Sequence, residues 1–392
     1  MRYLSSCDTT SLEGKTAVVR VDLNLPVIDG RVFDDSRIHA IKPTIEFLRT
    51  HGCGVRLLAH MGRPQGKPVP AFSLESLIPT LEAVLGIPVV FSLDYAPSDA
   101  PVVLYENLRF FPGEELNNPL FAHELAKLGH FFVNDAFSVS HRAHASTVGI
   151  TNHLEAYAGI TLSHEIDGLQ ALLTTPKRPL IAIIGGAKIA TKIHLVENLL
   201  KTCDHVYLGG GLATTFLKAQ GFNLGRSLVE EKLLDWAQGI LQTHKNLHLP
   251  IDAVVSTALA AGASAHTMTT VDVANDAMMV DIGPFSRSQL CDLCAKGGTV
   301  VWNGPVGAFE YPPFHEGTVA GLRYLATETR LGNLVSIIGG GETVAAAKMA
   351  GCMGDFSFVS TAGGAFLEWL EGRELPGIKA LGYEYTPKGN HS

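Results

Sequence analysis

Several features are scarce in this chain of 392 residues, and each scarcity excludes a class of protein. No apolar run approaches the roughly 18 residues of a membrane-spanning helix. The N-terminal segment MRYLSSCDTTSLEGK lacks the apolar stretch of a cleavable signal. Positive charge is outnumbered, because 30 Lys and Arg stand against 38 Asp and Glu for a net charge of −8. We therefore expect a cytoplasmic protein with no nucleic-acid partner and no membrane association.

Cysteine is also scarce, with six residues scattered along the chain. Only Cys291 and Cys294 form a CxxC pair, and no second pair of metal ligands stands near them in the sequence. Zinc and redox sites need such a wider pattern. We expect small, partly buried structural thiols, as is usual in a reducing compartment.

Apolar residues are plentiful, at 46% of the chain against 17% for charged residues. This composition allows large cores, and the length suits about two or three domains. Strand-like and helical segments alternate through the first half, which predicts an α/β fold with parallel sheets flanked by helices. The predicted strands are 16–24, 54–62, 88–93, 102–107 and 130–137, and the predicted helices include 36–50, 73–85 and 118–129.

Polar side chains gather where these predicted strands end. Arg20, Asp22 and Asn24 alternate with apolar residues, so they share one face of a strand. In an open parallel sheet, ligands bind beyond the carboxyl ends of the strands. Similar polar groups stand at three further strand ends, namely HMGR (60–63), ENLR (106–109) and Asn134 with Asp135.

Arginines are frequent at or just after these strand ends, and their planar guanidinium suits phosphate and carboxylate oxygens. Each arginine taken singly could be an ordinary surface residue, but their shared position favours function. We predict an anion site formed by Arg37, Arg63, Arg109 and Arg142. His141 and His144 in HRAHAST (141–147) could add to this site, hydrogen-bond locally, or belong to a metal site if a third ligand exists.

The segment 148–180 is predicted to bridge two domains. It contains a predicted helix at 164–173 with Ser163 as its N-cap, and Pro176 prevents the helix from continuing. We expect an inter-domain helix and hinge here.

The stretch LIAIIGGAKIATK (180–192) carries a pattern typical of phosphate binding. A continuous apolar run stops at Gly185 and Gly186, and a helix-compatible run then places Lys188 and Lys192 four residues apart on one face. Glycines let backbone amides approach a ligand, and a helix N-terminus attracts anions. We predict a phosphate site, with an ordinary tight turn and solvated lysines as the alternative.

Three later segments repeat this strand–glycine–helix pattern: HVYLGGGLATTF (205–216), LVSIIGGGETVAAA (334–347) and FSFVSTAGGAFLEWL (356–370). None fits the GxGxxG dinucleotide fingerprint or the GxxxxGK[ST] P-loop. Several glycine-led helix N-termini at one sheet edge instead indicate a ligand with several phosphates. Glu342 follows one glycine run and is a candidate Mg²⁺ ligand, with a first-turn acid that favours the helix dipole as the alternative.

Nine segments together resemble the motifs of phosphoglycerate kinases, in order and spacing, over nearly the whole chain. They are RVDLNLP (20–26), HMGRP (60–64), ENLRF (106–110), NDAFSVSHRAHAST (134–147), GGAKIATK (185–192), GGGLATTFL (209–217), WNGPVGAFE (302–310), GGGETVAAA (339–347) and STAGGAFLEWLEGRELPG (360–377). The resemblance implies two doubly wound parallel-sheet, Rossmann-like domains joined by a hinge helix. Its implied parts are a phosphoglycerate-binding domain at 1–163, the helix and hinge at 164–179, a nucleotide-binding domain at 180–375, and a tail at 376–392 that returns to the first domain.

The resemblance also implies an activity. Phosphoglycerate kinases reversibly transfer the acyl phosphate of 1,3-bisphosphoglycerate to MgADP, giving 3-phosphoglycerate and MgATP in glycolysis. ATP or ADP is then the co-substrate, Mg²⁺ the metal cofactor, and a monomer the usual state. Domain closure would assemble the groups and expel water, which would otherwise hydrolyse the acyl phosphate.

Carried over by motif, the resemblance assigns three groups of site residues. The substrate-binding positions are Asp22, Leu23, Asn24, Arg37, His60, Met61, Gly62, Arg63, Arg109 and Arg142. The nucleotide-binding positions are Lys188, Lys192, Gly209, Gly210, Gly211, Leu212, Asn303, Pro305, Glu310, Gly339, Gly340, Gly341, Glu342 and Thr343. The catalytic positions are Arg37, Lys188, Lys192, Gly341 and Gly364, and the metal position is Glu342, where the family often has aspartate.

Two other functions are open alternatives. An NAD-dependent oxidoreductase would share the α/β fold but lacks its fingerprint here. A non-enzymatic two-lobed solute-binding protein would bind a ligand without turnover, and it would need export.

Overall fold

The computed structural model describes residues 1–28, 30–187, 189–190, 192–269, 271–360 and 362–384, with the backbone alone for residues 28 and 171–174. The chain divides into two compact units. Unit 1 comprises Met1–Asp167 and the chain from Arg373 onward, and unit 2 comprises Gly168–Gly372. Among the described helices, none combines the length and apolar character needed to cross a membrane.

Strands and helices alternate along both units. The strands are β1 (Thr16–Arg20), β2 (Val27–Ile28), β3 (Arg31–Val32), β4 (Gly54–Leu58), β5 (Val90–Ser92), β6 (Val102–Tyr105), β7 (Phe131–Asn134), β8 (Ala156–Ala158), β9 (Leu180–Ile184), β10 (His205–Leu208), β11 (Leu247–His248), β12 (Ala253–Ser256), β13 (His266–Met268), β14 (Met278–Ile282), β15 (Gly298–Asn303), β16 (Leu334–Gly339) and β17 (Phe358–Ser360). The helices are α1 (Ser36–Thr50), α2 (Ile78–Leu85), α3 (Pro112–Glu115), α4 (Pro119–Ala126), α5 (Ile160–Thr174), α6 (Ile193–Thr202), α7 (Gly210–Ala219), α8 (Leu234–Thr243), α9 (Pro284–Cys294), α10 (Glu316–Arg330), α11 (Gly341–Ala350), α12 (Gly363–Leu370) and α13 (Pro376–Lys379).

Unit 1 is built on a six-stranded parallel sheet in the order β5-β6-β4-β1-β7-β8. The apolar side chains of β1 are buried on both faces, because Val18 and Val19 pack into separate apolar clusters. The strand order reverses at β1, since β4 lies on one side of it and β7 on the other. Ligands of open α/β sheets bind at such a switch point, beyond the carboxyl ends of the strands.

Unit 2 repeats this plan with a six-stranded parallel sheet in the order β11-β10-β9-β15-β16-β17. Its switch point lies between β9 and β15, which are both fully buried. A separate antiparallel sheet, β13-β12-β14, has its own small apolar cluster. The α/β fold with parallel sheets, predicted from the alternation of strands and helices, is therefore confirmed.

Helix α5 begins earlier than predicted, at Ile160 rather than at residue 164. Ser163 is therefore inside the helix and not its N-cap, and its hydroxyl donates to the carbonyl of Gly159 at 2.7 Å. The amide of Leu162 in the first turn instead donates to Oδ1 of Asp135 at 2.9 Å. An acidic side chain from a distant segment thus accepts from an amide in the first turn of the helix, which no local sequence signal indicates. The boundary between the two units, after Asp167, falls within this helix.

Helix α6 begins later than predicted, at Ile193. Lys192 precedes the helix, so the predicted helical face carrying both lysines is wrong for Lys192, and Lys188 lies outside the described residues. The reason is visible in the segment before it. The amides of Ile189 and Ala190 donate to the carboxylate of Glu230 and not to helical carbonyls.

The CxxC cysteines lie on α9, and their thiols are not poised for reaction. Cys294 is buried in the main core of unit 2, where burial raises the pKa of its thiol. Burial likewise raises the pKa of the half-buried Cys291 thiol. Reactive cysteines and metal-binding cysteines need the thiolate, which this environment disfavours.

The core of unit 2 can be tested through its tryptophans, because all three lie in that unit: Trp236, Trp302 and Trp369. Ile183 in β9 is fully buried. Ile183→Ala should lower the free energy of unfolding by about 2–5 kcal/mol, since it removes apolar contacts and leaves a cavity. Urea titration followed by tryptophan fluorescence measures this loss. Leu331→Ala, at a side chain that is 64% exposed, is the control and should change it by less than about 0.5 kcal/mol.

Candidate active site

Five arginines and one histidine lie around the switch point of unit 1. We call the set Arg20, Arg37, His60, Arg63, Arg109 and Arg142 the anion cluster. Its members follow the carboxyl ends of different strands or lie in the segments after them, as the sequence predicted for four of the arginines. Strand β1 is shorter than predicted and ends at Arg20, so Asp22 and Asn24 lie in the loop that follows.

The protonation state of His60 is set by its burial and by the charges around it. Its side chain is buried, and its Nδ1 lies 3.0 Å from Nη2 of Arg20. Burial, followed by the positive charges of Arg20 and Arg109, holds the pKa of His60 well below its usual range. The imidazole is therefore neutral at physiological pH and binds as a hydrogen-bond partner rather than as a cation.

Arg37 and Asp22 form an ion pair on the partly buried side of the cluster. Nη1 of Arg37 lies 2.6 Å from each carboxylate oxygen of Asp22, and the hydroxyl of Ser138 also donates to that carboxylate. The carboxylate holds the guanidinium near the start of α1 and partly offsets its charge. Arg37 is thus oriented by a charge-assisted ion pair.

Asn24, Gly62 and Arg109 tie three strand-end loops together. Oδ1 of Asn24 accepts from the amide of Gly62 at 2.9 Å, and Nη1 of Arg109 donates to the carbonyl of Gly62 at 2.7 Å. Arg109 is 5% exposed, and burial lowers the pKa of its guanidinium to about 10. Leu23 and Met61 are predicted binding residues whose side chains lie in the core, so only their backbones are available to a ligand.

Arg63 and Arg142 are the more accessible members. Arg63 is exposed and makes no hydrogen bond or ion pair with the described residues. Arg142 donates from Nε to Nε2 of His141 at 3.1 Å. His144 lies 3.5 Å from the carboxylate of Glu114, and no group of three potential metal ligands occurs among the described residues. The two histidines thus hydrogen-bond locally, in line with one of the alternatives left open by the sequence.

In unit 2, two loops meet at the switch point with almost no space between them. A Cβ on Gly185, which follows β9, would lie 1.9 Å from the carbonyl oxygen of Pro305, which follows β15. Only glycine fits there. The amides of Gly185 and Gly186 donate to the carbonyls of Asn303 and Pro305 at 2.8 and 3.0 Å, so the two loops form one rigid platform.

Lys192 lies on this platform. Its Nζ donates to the carbonyl of Gly185 at 2.7 Å and to Oδ1 of Asn303 at 3.1 Å. Burial lowers the pKa of Lys192 to about 8, and the charge of Glu342 acts in the opposite direction. Neither hydrogen-bond acceptor carries a full charge, so the ammonium keeps its positive charge for an anionic ligand.

The loop after β16 is held against the same platform. Nδ2 of Asn303 donates to the carbonyl of Gly339 at 2.8 Å, and Oγ1 of Thr343 accepts from the amide of Gly304 at 2.7 Å. Gly340 has a φ of +93°, and a Cβ on it would lie 2.7 Å from Nδ2 of Asn303. This residue must therefore be glycine.

Two helices begin side by side at this loop. Gly341 begins α11, and Gly364 lies in the first turn of α12. A Cβ on Gly363 would lie 3.9 Å from Cα of Gly340, so the two helix N-termini are neighbours. Their backbone amides could bind an anion.

A cavity of about 270 Å³ opens beside the platform. Five predicted nucleotide-binding residues line it, namely Gly210, Gly211, Pro305, Glu310 and Glu342. The predicted residues Gly209 and Leu212 do not, because Gly209 packs against Val306 and Leu212 is fully buried. The apolar walls were not predicted, and they include Leu228, Leu259, Met278, Met279 and Tyr311.

Glu342 has surroundings that suit a magnesium ligand. It is exposed in the first turn of α11, lines the cavity, and interacts electrostatically with Lys192. Magnesium usually keeps several waters and takes only one or two carboxylates alongside substrate phosphates. A single accessible carboxylate beside an anion-binding platform fits that requirement.

The comparison with known proteins identifies the family. A family model described as phosphoglycerate kinase matches residues 7–373 of this chain. The chain belongs to the phosphoglycerate kinase family. A phosphoglycerate kinase of Methylorubrum populi is 49% identical over 388 residues, covering 95% of this chain and 97% of that protein. The phosphoglycerate kinase of Zymomonas mobilis is 46% identical over 395 residues, covering 97% of this chain and all of that protein.

Solved structures of phosphoglycerate kinases share the fold. The enzyme from Coxiella burnetii is 39% identical and gives a TM-score of 0.86, covering 97% of this chain and 98% of its own. The enzyme from Pyrococcus horikoshii is 28% identical with a TM-score of 0.85 and the same coverage. These similarities extend across both units.

Lys192 should make nucleotide binding depend on pH. Its lowered pKa of about 8 means that it is charged at pH 7 and loses its proton as the pH rises through about 8. ADP affinity should therefore fall about tenfold between pH 7.5 and 9.5, the scale of a lost charged hydrogen bond. Calorimetric titration at several pH values measures this. Lys192→Arg keeps its charge and should remove most of the pH dependence, and an unchanged slope in that variant would contradict the assignment.

Gly340→Ala tests the platform geometry. The positive φ and the contact with Asn303 should lower the free energy of unfolding by about 1–3 kcal/mol. ADP binding should weaken as well, since Asn303 also holds Lys192. Gly354→Ala is the control, because nothing lies within 4 Å of its Cβ position. Thermal melts and ADP titrations of both variants check this, and a Gly340→Ala protein with normal stability and affinity would refute it.

Proposed function

We propose that this chain is a glycolytic kinase that reversibly transfers the acyl phosphate of 1,3-bisphosphoglycerate to MgADP, giving 3-phosphoglycerate and MgATP. Family membership supports this reaction. The observation that carries it is the presence of two different anion sites at equivalent places in the two units. The cluster of unit 1 is made of arginines and a neutral histidine, and the platform of unit 2 is made of glycine loops and a lysine beside an apolar cavity.

The anion cluster of unit 1 suits phosphoglycerate, which carries a phosphate at one end and a carboxylate or acyl phosphate at the other. Arg63 and Arg142 are accessible, and Arg109 is rigidly held. We assign these three arginines to the distal phosphate. Arg37 and the neutral His60 bind near the carboxyl end, and Asp22, Asn24 and the backbone of residues 23, 61 and 62 fix the loops around them.

The platform and cavity of unit 2 suit a nucleotide. The apolar walls of the cavity accept the base, and Glu310 at its rim lies where a ribose hydroxyl could be bound. We assign the phosphates to Lys188, Lys192 and the glycine loops 209–211 and 339–341. The amides of Gly209 and Gly210 already donate to the carbonyls of Ile184 and Val306 at 2.9 Å, so these two residues hold the loop in place. Asn303, Pro305 and Thr343 act by holding the platform together.

Mg²⁺ is part of this proposal. Glu342 would hold it together with phosphate oxygens and water. When bound, the ion offsets the negative charge of the nucleotide phosphates.

The chain's own groups provide positioning and electrostatic stabilisation. Phosphoryl transfer has a loose transition state with negative charge spread over three equatorial oxygens, and it needs no covalent nucleophile on the enzyme. Arg37 and Lys192 supply positive charge at the two ends of the transfer, and the amides of Gly341 and Gly364 donate to the moving phosphoryl group. Transfer also requires the two substrates to meet with water excluded, which would otherwise take the phosphoryl group.

The domain organisation and cellular setting are part of the same proposal. We assign phosphoglycerate to residues 1–163, a hinge to 164–179, the nucleotide to 180–375 and a returning tail to 376–392. The protein acts in the cytoplasm as a monomer on small molecules, without nucleic-acid or membrane partners. The family match gives no support to an oxidoreductase or a solute-binding protein.

A coupled assay tests the reaction. With 3-phosphoglycerate and MgATP, ADP should form at a rate that depends on both 3-phosphoglycerate and Mg²⁺. The control omits phosphoglycerate and measures ATP hydrolysis alone. A purified protein that binds ATP but forms no ADP above this background would show the proposed function to be wrong.

Two arginine variants separate binding from catalysis. Arg37→Ala should lower kcat by about 10²–10³, the usual cost of removing one electrostatic donor to the transition state. Arg63→Ala should mainly raise KM for phosphoglycerate, because a distal phosphate is bound equally in ground and transition states. Steady-state kinetics at saturating nucleotide compares the two. A near-normal kcat for Arg37→Ala would remove its catalytic assignment.

A further inference from the structure

A fully buried carboxylate, Glu114, lies beneath the anion cluster, and no part of the proposed reaction uses it. Its side chain is 0% exposed. Burial alone would raise its pKa, but hydrogen bonds from His144 and Ser146 and the charge of Arg20 outweigh burial and lower the pKa of Glu114. Glu114 is therefore an ionised acid placed under a site that must attract anions, which requires a physical reason.

Ser146 connects Glu114 to the cluster. Its hydroxyl donates to Oε1 of Glu114 at 2.6 Å, and its amide donates to Oε2 at 3.0 Å. A hydroxyl has one hydrogen, so its oxygen is left to accept from Nε of Arg20 at 3.0 Å. The order Glu114, Ser146, Arg20 is thus a directed chain of hydrogen bonds, all of it buried.

The same series of hydrogen bonds continues from Arg20 to His60. Nη2 of Arg20 lies 3.0 Å from Nδ1 of His60. A guanidinium only donates, so Nδ1 of His60 must accept. In a neutral imidazole the proton then sits on Nε2, which has no partner among the described residues and is left as a donor for a ligand oxygen.

Glu114 also fixes the loop that carries Arg142. Its backbone carbonyl accepts from the amide of Ala145 at 3.0 Å, and its carboxylate lies 3.5 Å from Nδ1 of His144. Together with the two bonds from Ser146, these contacts pin residues 144–146 against α3. The position of Arg142, two residues earlier, follows from this anchor.

We propose that Glu114 is a positioning residue for phosphoglycerate binding, holding Arg20, His60 and the Arg142 loop in the arrangement that receives the ligand. The proposal rests on the proposed function in one respect, namely that the anion cluster binds phosphoglycerate. Glu114 itself does not touch the ligand. The buried charges of Glu114 and Arg20 offset each other across the Ser146 hydroxyl, so neither is left uncompensated.

A purely electrostatic role for Glu114 and a positioning role predict opposite changes in anion affinity when its charge is removed. This difference makes the proposal testable. Replacing Glu114 by glutamine removes a negative charge from beneath an anion site. If Glu114 only modulated the electrostatic potential, the change would strengthen anion binding. If it positions the cluster, the change frees Arg20 and weakens binding.

Kinetics and calorimetry of Glu114→Gln distinguish these signs. We expect KM for 3-phosphoglycerate and its dissociation constant to rise about tenfold, the scale of one lost hydrogen bond to a charged group. The KM for MgATP and kcat at saturation should change less than about twofold, since the groups that Glu114 holds bind ground and transition states alike. Arg37, the catalytic member of the cluster, is held by Asp22 instead. Glu82→Gln is the matched control: Glu82 is a half-buried acid of unit 1 that accepts from the amide of Val89 at 2.9 Å. It should leave all these values unchanged.

A second variant and a spectrum cover the case in which Glu114→Gln fails to fold or activity is absent. Ser146→Ala breaks the same chain and should raise KM by a similar factor. Histidine-ring ¹⁵N spectra of the unliganded protein should show His60 with an unprotonated Nδ1 and a protonated Nε2, and either variant should change these shifts. A lower or unchanged dissociation constant together with an unchanged His60 spectrum would overturn the proposal. If the wild-type protein does not bind 3-phosphoglycerate, the proposed function fails, and the His60 spectra still decide whether Glu114 positions the cluster.

Discussion

Positive charge held at the carboxyl ends of parallel strands is the constraint on which the rest of the structure depends. The chain is acidic overall, with a net charge of −8, so it must concentrate its cations locally to bind an anion. In unit 1 the switch point at β1 provides that place, because loops from several strands converge there. Like charges brought together repel, and three of the arginines have an acidic residue close by. Asp22 holds Arg37, and Glu115 lies 3.3 Å from Nε of Arg109. The negative charge of Glu114 stabilises the charged form of Arg20.

Unit 2 is also expected to bind an anion, but it has fewer charged side chains at its switch point. Its platform depends on a backbone contact at Gly185 that is too close for any side chain. It also depends on the positive φ of Gly340. Backbone amides and helix N-termini supply much of the attraction, so Lys192 can remain partly desolvated with a lowered pKa. The two units therefore solve one electrostatic problem in two ways. Fixed cationic side chains suit a small acid whose phosphate is recognised directly, whereas a glycine platform lets a bulkier nucleotide approach the backbone.

Much of this organisation could be predicted from local sequence. Helix 36–50 has the bounds that the pattern indicates. The polar residues Arg20 and Asn134 lie at strand ends, as expected for a ligand crevice, although β1 and β7 end before residues 24 and 137, where the pattern places their ends. The family resemblance of the motifs is confirmed by the match over residues 7–373.

What could not be predicted depends on partners distant in sequence. Helix α5 begins early because Asp135 accepts from its first turn, and α6 begins late because Glu230 binds the amides before it. The cavity walls, such as Leu228 and Leu259, come from segments with no motif of their own. Glu114 is similar, since an acid in the segment PGEEL gives no local sign that it will be buried beneath an arginine.

The most direct test of the account follows the phosphoryl group itself. ATP labelled with ³²P at the γ position is incubated with the protein, 3-phosphoglycerate and Mg²⁺, and hydroxylamine is added to trap any acyl phosphate. The account predicts a hydroxamate of phosphoglycerate whose formation requires all three components, with inorganic phosphate released only as the acyl phosphate is trapped. Release of labelled inorganic phosphate without hydroxamate would show that the protein hydrolyses ATP and does not transfer its phosphate to a carboxylate, which would contradict the central claim.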